Sequence, residues 1–466
     1  MIDGPSTTRQ HTPDRAGVTM TAVTPTDSAD RQEKTGLGNY FVSNYPPFSF
    51  WTPDHAASAR EALQQPPRAD TPLGLYLHIP FCRKRCKFCY FRVYTDKNGS
   101  DIETYVQALE REVELWMQTP LARDREVQYI YFGGGTPSFL SATQLERLFA
   151  RVKRLVNWGS AAEITFECEP GTLQRHKLEM LREAGVTRLS LGVENLTDSI
   201  LQANGRAHLS EEIYRSWGWI SELGFPQVNI DLISGMVGET WDNWREVIDK
   251  TIAMAPDCVT IYQMELPFNT VFSKELKMLG QEDPVGAVAD WPTKRAWVDY
   301  AFNRMGEAGY SISSAYTLVK DPQKARFTYR DSLWRGADMF GTGVASFGHV
   351  RGTHVQNIDS WEGWMGALDK GELPISRALP LSDRQRFVRE AILLLKTGEW
   401  RSDEFLVRHG LDPLVEFSSQ VADLCSRGLA GPMEGGLRLT RAGLLQVDRL
   451  LPPFFEPEHR QFTRYT

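Results

Sequence analysis

From residue 73 to residue 316 the sequence alternates between two periods, and this alternation constrains the fold more than any other feature. Short apolar runs of strand length are each followed by a longer stretch with apolar residues at helical spacing. Strands are expected at 73–79, 127–132, 162–168, 187–193, 227–233, 258–265 and 310–316. Helices are expected at 101–117, 141–155, 173–184, around 209–222, 240–254 and 291–305. In the first helix Ile102, Tyr105, Val106, Leu109 and Val113 make the apolar stripe. Ser141 and Gln144 form a capping-box pair that opens the second, and Gly185 stops the third. Repeated βα units require a parallel sheet with helices outside it. About six units predict an α/β fold built as a partial (β/α)6 barrel. Such barrels carry their chemistry at the C-terminal ends of the strands. Glu167, Glu194, Asp231 and Glu265 are expected there, at the ends of the third to sixth strands.

Directly after the first strand come Cys82, Cys86 and Cys89, in the spacing Cys-x3-Cys-x2-Cys. Three neighbouring thiolates suit a soft metal site. A closed zinc site wants a fourth ligand, and the loop offers none. A [4Fe–4S] cluster held by three thiolates keeps one iron open for a ligand. Arg83, Lys84, Arg85 and Lys87 lie between and beside the ligands, where they are expected to offset cluster charge and favour ionised thiols. After the second strand, Gly133-Gly134-Gly135-Thr136-Pro137 lets backbone approach a ligand without obstruction by Cβ.

The remaining chain divides by composition. Residues 1–36 are rich in Thr, Asp, Pro and Ser without periodicity and read as a disordered tail. Residues 37–71 form an aromatic, proline-broken arm that is expected to pack over the domain. The barrel is expected over 72–316 and a Trp- and Gly-rich extension closing its open edge over 317–380. Residues 381–466 turn helical in composition, with a helix expected over 440–450. A hydrophobic content of 41% fits a chain with a large core, and a net charge of −7 argues against a general nucleic-acid binder. No run of 18 apolar residues exists, so no membrane partner is expected. Six cysteines in 466 residues make no disulfide framework, and a cytoplasmic location is expected.

The cysteine spacing after a strand resembles the signature of radical S-adenosylmethionine (SAM) enzymes. Phe88 before the third cysteine and Tyr76 six residues before the first match its HemN-like branch, the anaerobic coproporphyrinogen oxidases and relatives. The resemblance covers about residues 70–455. It implies a C-terminal domain of HemN type, winged-helix-like in character. It also implies a [4Fe–4S] cluster whose open iron binds SAM and cleaves it to a 5′-deoxyadenosyl radical, with two SAM molecules per chain. By position, Tyr76, Gly134, Glu167 and Phe347 would serve the first SAM, and Gly135, Thr136, Arg206 and Asp231 the second.

Departures from the pattern steer the expected reaction. Phe91 stands where coproporphyrinogen oxidases have a further cysteine. Glu194 replaces a second-SAM glutamine, and Glu265 a small residue. Two added carboxylates suit a cation or a proton acceptor better than a tetracarboxylate substrate, because like charges repel. The expectation is therefore methyl or methylene transfer from the second SAM to an sp² carbon of a small-molecule substrate, giving C-methylation or cyclopropanation, with Glu194 and Glu265 as catalytic acids. The expected partners are a flavodoxin- or ferredoxin-like electron donor and a methyltransferase-like enzyme. Two alternatives stand beside it: oxygen-independent coproporphyrinogen III oxidation by decarboxylation, and a haem chaperone. The latter resemblance rests on Gly205-Arg206-Ala207-His208 and Tyr262-Gln263.

Overall fold

The computed structural model describes Thr35, Gly38, residues 41–278 and residues 288–460. The expected tail over 1–36 lies, Thr35 apart, outside the described residues. Strands β1 (Leu73–Ile79), β2 (Val127–Gly134), β3 (Glu163–Cys168), β4 (Arg188–Glu194), β5 (Gln227–Ser234) and β6 (Cys258–Gln263) lie side by side in chain order, each parallel to the next. Helices Gly99–Met117, Ala142–Leu155, Arg175–Glu183, Ser210–Leu223 and Trp241–Met254 connect them. The fold is the expected α/β partial barrel. β1 is buried on six of its seven residues, as befits a parallel strand covered on both faces. Ser141 and Gln144 do cap their helix reciprocally, and Gly185 takes the left-handed conformation expected after a helix end.

The sheet continues past both margins of this core. β7 (Ser311–Ile312) and β8 (Thr317–Val319) pair with each other, and β8 runs antiparallel beside β6. The single strand expected at 310–316 is thus split. The Ser314 hydroxyl accepts the N–H groups of Tyr316 and Thr317 and turns the chain between the two pieces. On the other margin β9 (Asp338–Thr342) lies parallel to β1, and β10 (Phe347–Val350), β11 (Thr353–Asn357) and β12 (Ile375–Pro380) follow antiparallel. The stretch 317–380 therefore contributes to both margins. Within the expected arm, Ala56–Leu63 is helical, and Thr52 bridges to Ala378 of β12.

The C-terminal part carries helix Asp383–Leu395 and a three-stranded wing of β13 (Glu399–Arg401), β15 (Gly436–Leu439) and β14 (Ala430–Met433). The helix expected over 440–450 is instead two single turns, Arg441–Leu444 and Val447–Leu450. The carbonyl of Leu445, between them, accepts from the Gln263 side chain. No described helix is long and apolar enough to cross a membrane.

One buried acid ties the layers together. Glu112, on the helix after β1, is fully buried. It accepts N–H groups from Gly343 (2.7 Å), Asn357 (2.6 Å), Trp364 (2.9 Å) and Trp116 (3.3 Å). It thereby joins that helix to the turn after β9, to β11 and to the helix Trp361–Asp369. Replacing it with an apolar residue strands three donors, those of Gly343, Trp364 and Trp116, since Asn357 keeps other acceptors, and each buried unsatisfied group costs about 1–3 kcal/mol. We expect Glu112→Leu to lose about 4 kcal/mol or more of unfolding free energy in a denaturant titration; a loss below about 1 kcal/mol would show that water replaces the carboxylate.

Candidate active site

The C-terminal ends of β1 to β6 open into a cavity of about 590 Å³ that reaches the C-terminal domain. Cys82, Cys86 and Cys89 line it at the β1 end. The cysteine loop is pinned by backbone contacts: Cys82 N–H to the Tyr94 carbonyl, Lys87 N–H to Asn204, and Phe272 N–H to Lys87. Glycines at the end of β2 serve this packing. A Cβ on Gly134, whose φ is +115°, would stand 2.4 Å from the His78 ring, and one on Gly135 would stand 2.9 Å from the carbonyl oxygen of Phe81.

Burial pushes the Cys82 thiol up to about 12 and Cys89 to about 11. Of the loop's basic residues Arg85 counters this at Cys89, and none does so at Cys82. Arg83 turns to Glu169 (2.9 Å) and Lys87 to Glu275 (3.3 Å). The guanidinium that does reach a sulfur is that of Arg206, 3.1 Å from Cys86 Sγ, which also donates to the Gly192 carbonyl at 2.7 Å. Thr136 Oγ1 donates to Cys82 Sγ at 3.3 Å. Among the described residues, the one set of His, Cys, Asp or Glu donors gathered within 4.8 Å of one another is Glu456, Glu458 and His459. The three sulfurs are spread more widely than the roughly 3.8 Å that a tetrahedral zinc ion with 2.3 Å bonds imposes. Three wide-set thiols with a guanidinium beside them fit a multinuclear iron–sulfur cluster, whose iron would deprotonate them.

Three half-buried carboxylates face the same space. Glu167 accepts from Tyr131 Oη (2.6 Å) and Gly134 N–H (3.2 Å), and burial lifts it to about 7. Asp231 accepts from Ser190 Oγ (2.7 Å) and Asn229 Nδ2 (3.0 Å) and is lifted by burial to about 6. It lies inside β5 rather than at its end. Glu194 closes β4 at φ +65°, where the register with β5 slips. Burial lifts it to about 7 against the pull of Arg206, 3.6 Å away. Glu265 lines the cavity two residues beyond β6. Glu169, a residue the sequence did not single out, is held down at about 2 by His208 and Arg83 despite its burial. His208 is thus a satisfied rim histidine.

Two expected contacts lie elsewhere. Phe347 is absent from the cavity wall and packs edge-on against Phe48 and Trp51 of the arm, both at 5.5 Å. It starts a strand whose partner is β11, which turns its ring outward to the arm. Tyr76 stands behind the wall, its hydroxyl 3.2 Å from His78 Nδ1 and its ring stacked on Tyr131. Conversely, Phe41, Tyr316, Asp448, Arg295 and Arg449 line the cavity without having been expected there. Phe41, Asp448 and Arg449 come from the arm and the C-terminal part, outside the βα pattern, whereas Arg295 lies in the helix Trp291–Glu307 and Tyr316 ends the expected strand 310–316, where the pattern gives no reason to single them out.

A family model described as the radical SAM superfamily matches residues 76–251. The chain is 26% identical over 460 residues to the oxygen-independent coproporphyrinogen III oxidase of Synechocystis, covering 93% of this chain and 96% of that one. It is 28% identical over 393 residues to the haem chaperone HemW of Bacillus subtilis, covering 81% and 98%. The solved coproporphyrinogen III oxidase (HemN) of Escherichia coli, a radical SAM enzyme, shares the fold with a TM-score of 0.75 at 21% identity, covering 90% and 99%. The chain is similar to HemN-like radical SAM proteins over most of its length. The radical SAM match implies a [4Fe–4S] cluster and SAM, which the thiol set and the half-buried carboxylates suit, since SAM brings a sulfonium and an ammonium.

The expectation of methyl or methylene transfer does not stand. The HemN-like relatives matched over most of both chains carry the names of coproporphyrinogen oxidase and haem chaperone. The charge argument behind that expectation also fails in the structure. Glu194 and Glu265 do not make the cavity acidic, because Arg83, Lys84, Arg85, Arg206, Arg295 and Arg449 line it too.

The carboxyl shifts have a measurable sign. Asp231 binds its proton more tightly folded than unfolded, so its contribution to stability is present below about pH 4 and is lost as pH rises through about 6. His78 and His354, held neutral by burial at about 4 and about 3, act in the opposite sense, so a variant must be compared with its parent. We expect Asp231→Asn to gain melting temperature relative to the parent as pH rises from about 4 to about 7 in the metal-free protein. A constant difference across that range would mean that Asp231 ionises as freely as in water.

Proposed function

We propose that this chain converts propionate side chains of a coproporphyrinogen-type tetrapyrrole to vinyl groups by radical SAM decarboxylation. The observation that supports this reading is that one cavity holds thiols, carboxylates and arginines together. Thiols and half-buried carboxylates occupy the strand ends, and Arg295 and Arg449 also line the wall. The first set suits a cluster and a cationic cofactor, and the second suits a substrate that carries carboxylates.

Cys82, Cys86 and Cys89 would hold the cluster. Glu167, kept in place by Tyr131 and the Gly134 N–H, would accept hydrogen bonds from the first SAM, and Asp231 from the second SAM that the resemblance implies. When bound and reduced, the cluster with SAM supplies a radical able to take a hydrogen atom. Arg295 and Arg449 would pair with propionates and present one of them to the strand ends. Phe41, Phe88, Ile233 and Met264 on the wall exclude water from the reacting carbons. Each propionate would give up one hydrogen atom to that radical, then carbon dioxide, and one electron to an external one-electron acceptor. A flavodoxin- or ferredoxin-like carrier is the proposed electron donor. Phe91, 47% exposed and stacked on Tyr90 at 4.5 Å, sits at the mouth in place of a fourth thiol. The cluster needs only three.

The haem-chaperone reading meets an obstacle, for no described histidine lines the cavity to serve as an axial ligand. We expect the anaerobically reconstituted, reduced protein to release one carbon dioxide per vinyl group formed from coproporphyrinogen III, with SAM consumed in step. Stoichiometric haem retention with no decarboxylation would replace this reading with the chaperone.

A further inference from the structure

One wall of the cavity carries hydrogen-bond acceptors in excess. Gln263, the last residue of β6, donates its amide to the Leu445 carbonyl at 3.3 Å. That carbonyl fixes the orientation of the amide, since the reverse would set two oxygens face to face. The Gln263 Oε1 atom is thereby left buried, with no partner. A buried acceptor without a partner is rare in folded proteins and calls for a ligand group.

Tyr316 stands on the same cavity wall and points the same way chemically. Its one hydroxyl hydrogen is given to Asp448 Oδ2 in a short contact. Asp448 Oδ1 is in turn held by Lys396 Nζ (2.8 Å) and by the Val42 N–H (2.8 Å). Lys396 also donates to the Val42 carbonyl and lies 4.0 Å from the centre of the Phe41 ring. With its hydrogen committed to Asp448, the phenol oxygen can only accept from the cavity. Glu265, two residues beyond Gln263, adds a carboxylate to this wall.

We propose that Gln263 and Tyr316, with Glu265, form a surface that recognises N–H groups of the substrate, and that Asp448 and Lys396 are positioning residues that hold the Tyr316 oxygen as an acceptor. The inference rests on the tetrapyrrole reading above and deepens it. A porphyrinogen carries four pyrrole N–H donors at its centre, no nitrogen acceptor, and carboxylates at its rim. Its centre would face Gln263 and Tyr316, and its rim would reach Arg295 and Arg449. The wall thus selects the reduced, metal-free macrocycle over one whose nitrogens already bind a metal.

The test is anaerobic equilibrium dialysis of the reconstituted holoprotein against coproporphyrinogen III and, separately, nickel coproporphyrin III. The nickel compound keeps all four carboxylates and has no N–H. We expect the parent protein to hold the porphyrinogen at least about tenfold more tightly, and Tyr316→Phe and Gln263→Met each to cut that preference by roughly fivefold, the effect of one hydrogen bond. Asp448→Asn keeps the phenol but frees its hydrogen, and is expected to cut the preference likewise. The ratio of two affinities does not move with a general loss of stability, so a merely structural role would leave it intact. An unchanged preference in folded Tyr316→Phe and Gln263→Met, or no preference in the parent, overturns the wall while leaving the tetrapyrrole reading. Binding of neither compound by the parent overturns both.

Discussion

The site depends on how closely two neighbouring strand ends approach the end of β1. On one side the Gly135 N–H reaches the Ile79 carbonyl at 2.9 Å, and Gly134 passes under the His78 ring. On the other side the turn after β9 brings Gly343, at φ +100°, so near that a Cβ would stand 2.8 Å from that of His78. Glu112 and the Tyr105 hydroxyl hold that turn through the N–H groups of Gly343 and Val344. Only glycine fits either position, for reasons of space and of backbone angle. β1 is thus gripped from both flanks at the point where it yields to Pro80 and the first cysteine. The loop's position over the barrel follows from that grip together with its own anchors, the buried Phe81, and Phe88 packed on the cluster of Ile200, Ile233, Met236 and Met264.

The same ends carry an unusual charge arrangement. Placing Glu167, Asp231 and Glu194 around one cavity raises each of them by desolvation, and neighbouring carboxylates push Glu167 and Glu194 further up. Neutral hydrogen bonds from Tyr131, Ser190 and Asn229 fix their geometry without cancelling their charge. Glu169, one strand position beyond Cys168, shows the other solution. Arg83 and His208 neutralise it outright, and it serves the cysteine loop as a structural anchor. Residues of one chemical type therefore separate into ligand-facing and structural roles by the partners the fold supplies. A bound cation is what turns the first group from a cost into an attraction.

Much of this architecture was legible in the sequence because parallel strands and amphipathic helices write strong periodic signals. The six strands, their helices, the Ser141 cap and the Gly185 stop fall within a few residues of where the pattern puts them. The losses have local causes. The helix Asp198–Ala203 is six residues long, too short for a period to show. The split of 310–316 depends on a Ser314 hydroxyl competing with the ladder, and the break near 445 on a carbonyl drawn to Gln263. At the site, the cysteines, Glu167 and Glu194 converge as the rule of strand ends demands, and Asp231 from inside β5 and Arg206 from a loop between helices join them. Phe347 does not, because β10 follows the parallel core in an antiparallel meander whose facing obeys the arm. The charge argument from Glu194 and Glu265 failed for a related reason. Arg83, Lys84, Arg85 and Arg206 were in view, but Arg449, from the C-terminal part, and Arg295, on the helix Trp291–Glu307, complete the balance where no motif marks them.

The joint at Asp448 shows what the outer segments contribute. Lys396, Asp448, Tyr316 and Val42 come from four distant parts of the chain and meet in one buried ion pair beside the cavity. Burying such a pair removes both charges from water, and the attraction regained inside seldom exceeds that loss by much. Apolar residues of similar volume would hold the segments together about as well. They would not orient a phenol, direct its hydrogen away from the cavity, or fix the arm's backbone at Val42 by its N–H and its carbonyl together. The ion pair is best understood as setting direction rather than supplying stability. The C-terminal domain and the arm are then more than a cover for the barrel, because together they decide which face of a ligand the mouth can accept.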